Sequence, residues 1–148
     1  MNEKVIVKGL TIENFLSLDK VKVNFGKLTI FIGPNASGKS NLIKALTLLT
    51  GIGKVNGLTN ILEICKRCLK VESIKQLFHD PNKELAIKVD LEINGQSASY
   101  EISLNSDGLI SREEAKYRKL LLFRPERGAA KYLIKDGSYV SHSLSDSV

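Results

Sequence analysis

A glycine-rich octet with the pattern Gly-x-x-x-x-Gly-Lys-Ser, at residues 33–40, constrains the fold of this chain more than any other feature. It follows Leu28–Ile32, a nearly continuous apolar run that is typical of a central strand buried on both faces. After Lys39 the apolar residues recur at helical spacing, which predicts a helix packed against a sheet and ended by Gly51 and Gly53. A strand, this loop and a helix, in that order, predict a phosphate-binding P-loop.

Each position of the octet has a chemical reason. Backbone N–H groups from Asn35 to Ser40 wrap a polyphosphate at the positive end of the helix, and Gly38 lets the backbone approach closely. Lys39 reaches the β- and γ-phosphates, and the Ser40 hydroxyl joins the shell of a Mg²⁺ ion. We therefore predict ATP and Mg²⁺ as cofactors, although the motif alone also admits GTP. The predicted ATP-binding residues are Gly33, Pro34, Asn35, Ala36, Ser37, Gly38, Lys39, Ser40 and Asn41.

The rest of the chain divides by the period of its apolar residues. Alternation predicts strands over Lys4–Phe15 and Val21–Phe25, then a hairpin about Asn94-Gly95 and further short strands after a turn at 106–108. Between them, helical patterns cover Ile61–Lys70 and a segment that begins at Ser73, where Gln76 completes a capping-box spacing. The predicted segments are a P-loop core (1–56), a helical segment (57–82) and an antiparallel meander (83–148), together one lobe, 1–148.

These patterns predict an α/β fold, with a P-loop NTPase core built on a mixed sheet and an antiparallel β subdomain. A chain of 148 residues is the size of one domain. It holds no apolar run of about 18 residues, so a membrane span is not expected. Its two cysteines cannot form the framework of a secreted disulfide scaffold, and we expect a cytoplasmic protein.

The positive charge lies in two zones. Residues 1–57 carry eight lysines against three acids, and residues 112–135 carry eight basic groups against three acids. The first zone includes the P-loop. The second permits contact with DNA phosphates, although a solvated basic face is the simpler explanation. Its basic residues include Arg112, Lys116, Arg118, Lys119, Arg124, Arg127 and Lys131.

The P-loop and the residues before it resemble one family. Asn14-Phe15-Leu16-Ser17, followed by the octet and Asn41, is similar to the N-terminal ATP-binding lobe of the RecF/SMC/OLD-type ATPases, which are ABC-related AAA proteins. The resemblance implies an incomplete ABC/SMC-like lobe and contact of the Asn-Phe-x-Ser element with nucleotide. The family usually has glycine at the position of Ala36, and many members have Arg or Lys where this chain has Leu16.

Two elements that the family uses for hydrolysis are absent from this sequence. It has no Walker B segment, which consists of four apolar residues followed by Asp-Glu. It also has no Leu-Ser-Gly-Gly signature loop, and Ser143–Asp146 does not replace that loop. Gln76 and Gln96, the only glutamines, do not place the family's glutamine loop. The catalytic residues are therefore unknown, and we expect half of a composite site in a truncated lobe. It would need a second copy or a Walker B-bearing lobe, with dimerisation in the complete protein.

Two alternatives remain open from the residues. The chain can be part of an ATP hydrolase that is weak or inactive alone, or a non-hydrolysing module that senses nucleotide or binds another protein. Cys65-Lys66-Arg67-Cys68 is a lone Cys-x-x-Cys. Its cysteines share a helix face with apolar residues, which favours small core residues over a zinc or redox site.

Overall fold

The structure is a computed structural model that describes residues 4–54, 65–118, 120–124, 129–133 and 139–143. Side chains are described for residues 4–52, 65–67 and 69–118. The strands and the helix are β1 (Val5–Phe15), β2 (Leu18–Asn24), α1 (Lys39–Lys54), β3 (Leu85–Ile93), β4 (Gln96–Leu104), β5 (Ile110–Tyr117), β6 (Leu120–Arg124), β7 (Ala129–Leu133) and β8 (Tyr139–Ser143). A π-helical turn (Cys65–Leu69) and a 3₁₀ turn (Ile74–Leu77) lie between α1 and β3.

The described strands form one sheet in the order β2-β1-β3-β4-β5-β6-β7-β8, and each pairing among them is antiparallel. β1 therefore lies between β2 and β3, which joins the chain before the P-loop directly to the meander after it. The hairpin predicted about Asn94-Gly95 is confirmed: the two residues have φ of 51° and 79°, as a two-residue turn with left-handed backbone requires.

One face of the sheet carries the core, because alternate residues of its strands point to α1. The buried apolar residues on β1, β3 and β4 are Leu10, Ile12, Leu85, Ile87, Val89, Ile102 and Leu104. From α1 they meet Leu42, Ala45, Leu48 and Leu49. Their spacing of three and four places one apolar stripe of the helix on the sheet. Packing on the sheet therefore holds α1, and the P-loop at its start, in a fixed position.

The central strand predicted at Leu28–Ile32 is wrong. These residues form no strand, and Leu28, Ile30 and Ile32 are 79%, 69% and 91% exposed. A strand with apolar residues on both faces needs neighbouring strands and covering layers on both sides. Within the described residues, the sheet is antiparallel and none of its strands pairs with residues 28–32. The mixed sheet of the predicted core is absent from this part of the chain for the same reason.

The predicted end of the helix is also wrong. α1 continues through Gly51 and Gly53 to Lys54, and neither glycine has positive φ. Ile52 lies between them and packs against the core, which keeps the last turn helical despite the weak propensity of glycine.

The helical predictions after α1 have mixed outcomes. Of Ile61–Lys70, residues 61–64 lie outside the described part, and Cys65–Leu69 is a π-helical turn with Cys65 buried in the core. The capping-box spacing is confirmed, because Gln76 Oε1 accepts hydrogen bonds from the N–H groups of Glu72 and Ser73. Among the described helices, none combines the length and the apolar character that crossing a membrane requires.

Candidate functional site: the P-loop and the β1–β2 turn

The P-loop leads from the exposed segment 28–32 into α1. Residues 33–37 and Ser40 are exposed, and Gly38, Lys39 and Asn41 are half-buried. α1 begins at Lys39, and the N–H groups of Asn41 and Leu42 in its first turn donate to Gly38 O. No acidic side chain lies in that turn. The loop therefore presents the positive end of a helix dipole that no side chain of the first turn neutralises.

The ammonium of Lys39 is folded back onto the loop. Nζ donates hydrogen bonds to the carbonyl oxygens of Gly33 at 2.7 Å and Pro34 at 2.5 Å, and to Ser37 Oγ at 2.9 Å. Ser37 N also donates to Pro34 O, at 3.4 Å. The positive charge is thus held within the loop itself, and an anion that enters has to compete only with neutral oxygen atoms.

Gly38 meets two separate requirements. Its φ is +87°, a left-handed conformation that costs a residue with a Cβ about 1–2 kcal/mol. A Cβ at this position would also lie 2.7 Å from Leu18 Cδ2. The sequence pattern predicted glycine here for a different reason, close approach of the backbone to phosphate; the left-handed backbone and the packing against Leu18 are additional reasons. Ala36 also has positive φ, 63°, which accounts for the usual glycine of the family at this position.

The β1–β2 turn, Leu16 and Ser17, lies against the P-loop together with Leu18, the first residue of β2. Asn41 Nδ2 donates a hydrogen bond to Ser17 Oγ at 2.9 Å, and Leu18 packs on Gly38 as described above. On its other side, Leu16 N donates to Leu77 O at 2.7 Å, and His79 Nδ1 lies 3.1 Å from Leu16 O. The turn is therefore fixed between the P-loop and the segment that precedes β3.

The buried side chain of Asn14 holds segment 80–84 against the end of β1 by hydrogen bonds. Asn14 has φ of 57°, and its Nδ2 donates to the carbonyl oxygens of Asp80, Lys83 and Glu84 at 2.9, 2.9 and 3.2 Å. Its Oδ1 accepts from Asp80 N at 2.6 Å. Within the described residues, both ends of the side-chain amide are thus used to hold segment 80–84 against the end of β1.

In this structure, the residues of the Asn-Phe-x-Ser element therefore contact other parts of the protein. Asn14 holds segment 80–84, Phe15 is fully buried in the core, and Ser17 contacts Asn41. Sequence reasoning did not find the role of segment 77–84. The signal available was Asn14 itself, since asparagine is one of the few residue types that adopt a left-handed backbone readily.

The residues of the loop suit a nucleoside triphosphate and Mg²⁺. The exposed loop offers backbone N–H groups and the Lys39 ammonium to phosphate oxygens, and glycine occupies the left-handed position 38 where a Cβ would clash. Ser40, in the first turn of α1, carries an exposed hydroxyl, the hard oxygen ligand that Mg²⁺ prefers.

The two basic residues of β5 are ion-paired with one carboxylate. Arg112 and Lys116 both form ion pairs with Glu114, at 3.1 and 2.5 Å, and the side chain of Glu114 is only 11% exposed. Arg118 Nε donates to Gln96 Oε1, and its guanidinium lies 5.1 Å from the centre of the Tyr117 ring. The side chains at positions 119, 124, 127 and 131 lie outside the described residues. Among the described residues Arg118 forms no ion pair, so this part of the basic zone retains positive charge and remains compatible with contact to DNA phosphates.

The Glu114 ion pairs predict a pH-dependent stability. The hydrogen bond from Lys116, with a further one from Arg112, lowers the pKa of Glu114 despite the opposing effect of burial. Because the pKa is lowered on folding, the stabilisation is complete above the unfolded value of about 4.3 and is lost as pH falls through the folded pKa. The unfolding free energy of wild type is therefore expected to exceed that of Glu114→Gln by the largest amount at about pH 6–8. This difference should shrink progressively towards about pH 3.

Urea unfolding at several pH values measures this difference. Glu72→Gln is the matched control, because Glu72 is exposed and forms no ion pair among the described residues. A gap between wild type and Glu114→Gln that does not change with pH would contradict the prediction.

Of the two cysteines in the Cys-x-x-Cys segment, the structure describes the side chain of Cys65. Cys65 is fully buried in the core, as a small apolar residue would be, and the side chain of Cys68 lies outside the described residues. In the part of the chain whose side chains are described, no group of three or more His, Cys, Asp or Glu residues is placed to hold a metal ion.

Comparison with known proteins places these features in a family context. The family model described as "AAA ATPase domain" matches residues 6–142. The DNA replication and repair protein RecF of Clavibacter michiganensis subsp. michiganensis is 29% identical over 123 residues, covering 82% of this chain and 30% of RecF. An ATP/GTP phosphatase of Helicobacter pylori is 35% identical over 104 residues, covering 66% of this chain and 28% of the phosphatase. The chain thus spans less than a third of the length of these relatives.

Two further matches agree with this result, one shorter with a higher sequence identity and one to a solved structure. The chromosome partition protein Smc of Desulfitobacterium hafniense is 45% identical over 49 residues, which cover 32% of this chain and 4% of Smc. A chain from a structural study of ATP-driven dimerisation and DNA-stimulated activation of SMC ATPases aligns with a TM-score of 0.54. It is 20% identical, and the alignment covers 76% of this chain and 69% of that chain. The fold is therefore like that of an SMC ATPase head fragment.

Proposed function

The chain belongs to the AAA ATPase domain family, and on that premise we propose that residues 33–41 bind Mg²⁺·ATP as the Walker A half of a RecF/SMC-like ATPase site. The observation that carries the proposal is Lys39, whose ammonium lies against the oxygen atoms of Gly33, Pro34 and Ser37 at the start of α1. Phosphate oxygens would take the place of these neutral acceptors. A charged acceptor makes the stronger hydrogen bond to an ammonium, so the exchange is favourable.

Hydrolysis would require groups from elsewhere. The sequence has no Walker B acids and no signature loop, so this chain supplies binding, and a second lobe would supply the carboxylate that activates water. Nucleotide-driven dimerisation would complete the site. The name of the Helicobacter pylori relative, an ATP/GTP phosphatase, supports nucleotide hydrolysis as the activity of the complete protein.

The exposed apolar segment before the P-loop supports a second lobe. Leu28, Ile30 and Ile32 present apolar side chains to solvent directly before the P-loop, and Ile43 on the first turns of α1 is 65% exposed. An exposed apolar surface of this kind marks an interaction site. In the RecF and phosphatase relatives, more than two thirds of the length lies outside the matched part.

The same surface favours a second candidate function. A non-hydrolysing module that binds another protein through the apolar residues of 28–32 would also leave them exposed when alone. A measurement of ATP affinity distinguishes the two candidate functions in part. A module that works only through protein contacts needs no affinity for ATP.

Removal of the Lys39 ammonium tests the proposed function. Wild type is expected to bind Mg²⁺·ATP saturably, and Lys39→Ala to bind about 10- to 100-fold more weakly, because each hydrogen bond between charged groups contributes about 1.5–3 kcal/mol. Isothermal titration calorimetry measures both, with Lys44→Ala as the matched control because Lys44 lies farther along the same helix. Equal affinity of wild type and Lys39→Ala, or no binding at millimolar ATP, would contradict the proposal.

A further inference from the structure

We infer that Ser17 is a positioning residue for nucleotide binding, which acts through its hydrogen bond to Asn41 and fixes the first turn of α1 beneath the phosphates. The inference rests on the proposed function, since it assigns a residue outside the P-loop to the same site. Ser17 is separated from Asn41 by 24 residues, yet Asn41 Nδ2 and Ser17 Oγ are 2.9 Å apart.

Asn41 is attached at two points. Its backbone N donates to Gly38 O at 2.9 Å, within the P-loop, while its side chain donates to Ser17 on the β1–β2 turn. Asn41 is the third residue of α1, so it belongs to the first turn, at the positive end of the helix dipole. The Ser17 contact therefore sets the position of this turn relative to the sheet.

A second contact runs beside the first. Leu18, next to Ser17, packs so closely on Gly38 that a Cβ there would lie 2.7 Å from Leu18 Cδ2. Ser17 of the turn thus contacts Asn41 by a hydrogen bond, and Leu18 at the start of β2 contacts Gly38 by packing. Contacts of both kinds restrict the loop more than either would alone.

The turn can hold the loop because the turn itself is held. Leu16 N donates to Leu77 O, and Leu16 O lies 3.1 Å from His79 Nδ1. Directly before it, the side chain of Asn14 fixes segment 80–84. The sheet, the turn and the start of α1 form a continuous chain of contacts, so the arrangement of the P-loop before nucleotide arrives depends on Ser17.

A double-mutant cycle on ATP affinity tests the inference. Ser17→Ala and Asn41→Ala are each expected to weaken Mg²⁺·ATP binding about three- to tenfold, as the loss of one neutral hydrogen bond predicts. The double variant should bind no more weakly than either single variant, because both remove the same contact. Ser17→Thr keeps the hydroxyl and should restore the wild-type affinity. Ser97→Ala, at an exposed serine of β4, is the matched control.

Amide hydrogen exchange in the nucleotide-free protein gives a readout that does not depend on ATP. The N–H groups of Asn41 and Leu42, which both donate to Gly38 O, should exchange faster in Ser17→Ala than in wild type or Ser17→Thr. Unchanged exchange together with unchanged affinity in Ser17→Ala, or effects of the two single variants that add in the double variant, would overturn the inference. Failure of wild type to bind ATP would instead overturn the proposed function, and the exchange rates would still decide the role of Ser17.

Discussion

Replacement of Asn14 by glycine is expected to lower the free energy of unfolding by about 2–4 kcal/mol. The side-chain amide of Asn14 makes four hydrogen bonds to segment 80–84 and is buried. Each such bond contributes about 0.5–1.5 kcal/mol, and its removal leaves the Asp80 N–H without this acceptor. Glycine keeps the left-handed backbone at no steric cost, so the variant isolates the loss of the side chain. Urea unfolding followed by circular dichroism measures the change.

Two further variants define what the Asn14 result means. Asn14→Ala should be less stable than Asn14→Gly by about 1 kcal/mol, because alanine also carries the cost of positive φ. Asn24→Ala, at an exposed position at the end of β2, should change stability by less than about 0.5 kcal/mol. A value for Asn14→Gly within that same small range would show that segment 80–84 is held by other contacts.

Replacement of Gly38 by alanine is expected to abolish ATP binding and to destabilise the fold by about 2–4 kcal/mol. The new Cβ would require a left-handed backbone at φ +87° and would lie 2.7 Å from Leu18 Cδ2. Leu18 is buried in the core, so its side chain would have to repack to admit the new Cβ. The loop would therefore change its backbone, and its N–H groups would no longer converge on phosphate oxygens.

Gly95→Ala is the matched control for Gly38→Ala. Gly95 has nearly the same φ, +79°, yet nothing lies within 4 Å of a Cβ built there. The unfolding free energy of this variant should fall only by the cost of a left-handed backbone at alanine, about 1–2 kcal/mol. The variant should bind ATP like wild type. Equal losses of stability for the two variants, measured by urea unfolding, would show that the contact with Leu18 has no energetic role.

Local patterns predicted much of the sheet. β3 and β4 were predicted because their apolar residues alternate and Asn94-Gly95 adopts a left-handed turn readily, both of which depend on residues close in sequence. The P-loop was predicted for the same reason, since its octet is continuous. Its dependence on the β1–β2 turn could not be predicted, because Ser17 and Leu18 lie far from positions 38–41 in sequence and follow no periodic pattern.

The two wrong predictions have different physical causes. Leu28–Ile32 has the composition of a central strand, but a strand forms only beside partner strands, and none among the described residues pairs with it. Gly51 and Gly53 have the composition of a helix end, but Ile52 packs on the core and tertiary contact outweighs local propensity. In both cases the outcome depends on residues distant from the pattern.

The central claim, that Mg²⁺·ATP binds at residues 33–41, is tested most directly by a titration of the ¹⁵N-labelled protein with Mg²⁺·ATP followed by ¹H–¹⁵N NMR. The largest saturable shifts are expected for the backbone amides of Asn35 to Asn41, with smaller ones at Ser17 and Leu18 and none on β5. Shifts that do not saturate, or that cluster on β5 and leave residues 35–41 unchanged, would contradict the assignment of the nucleotide to the P-loop.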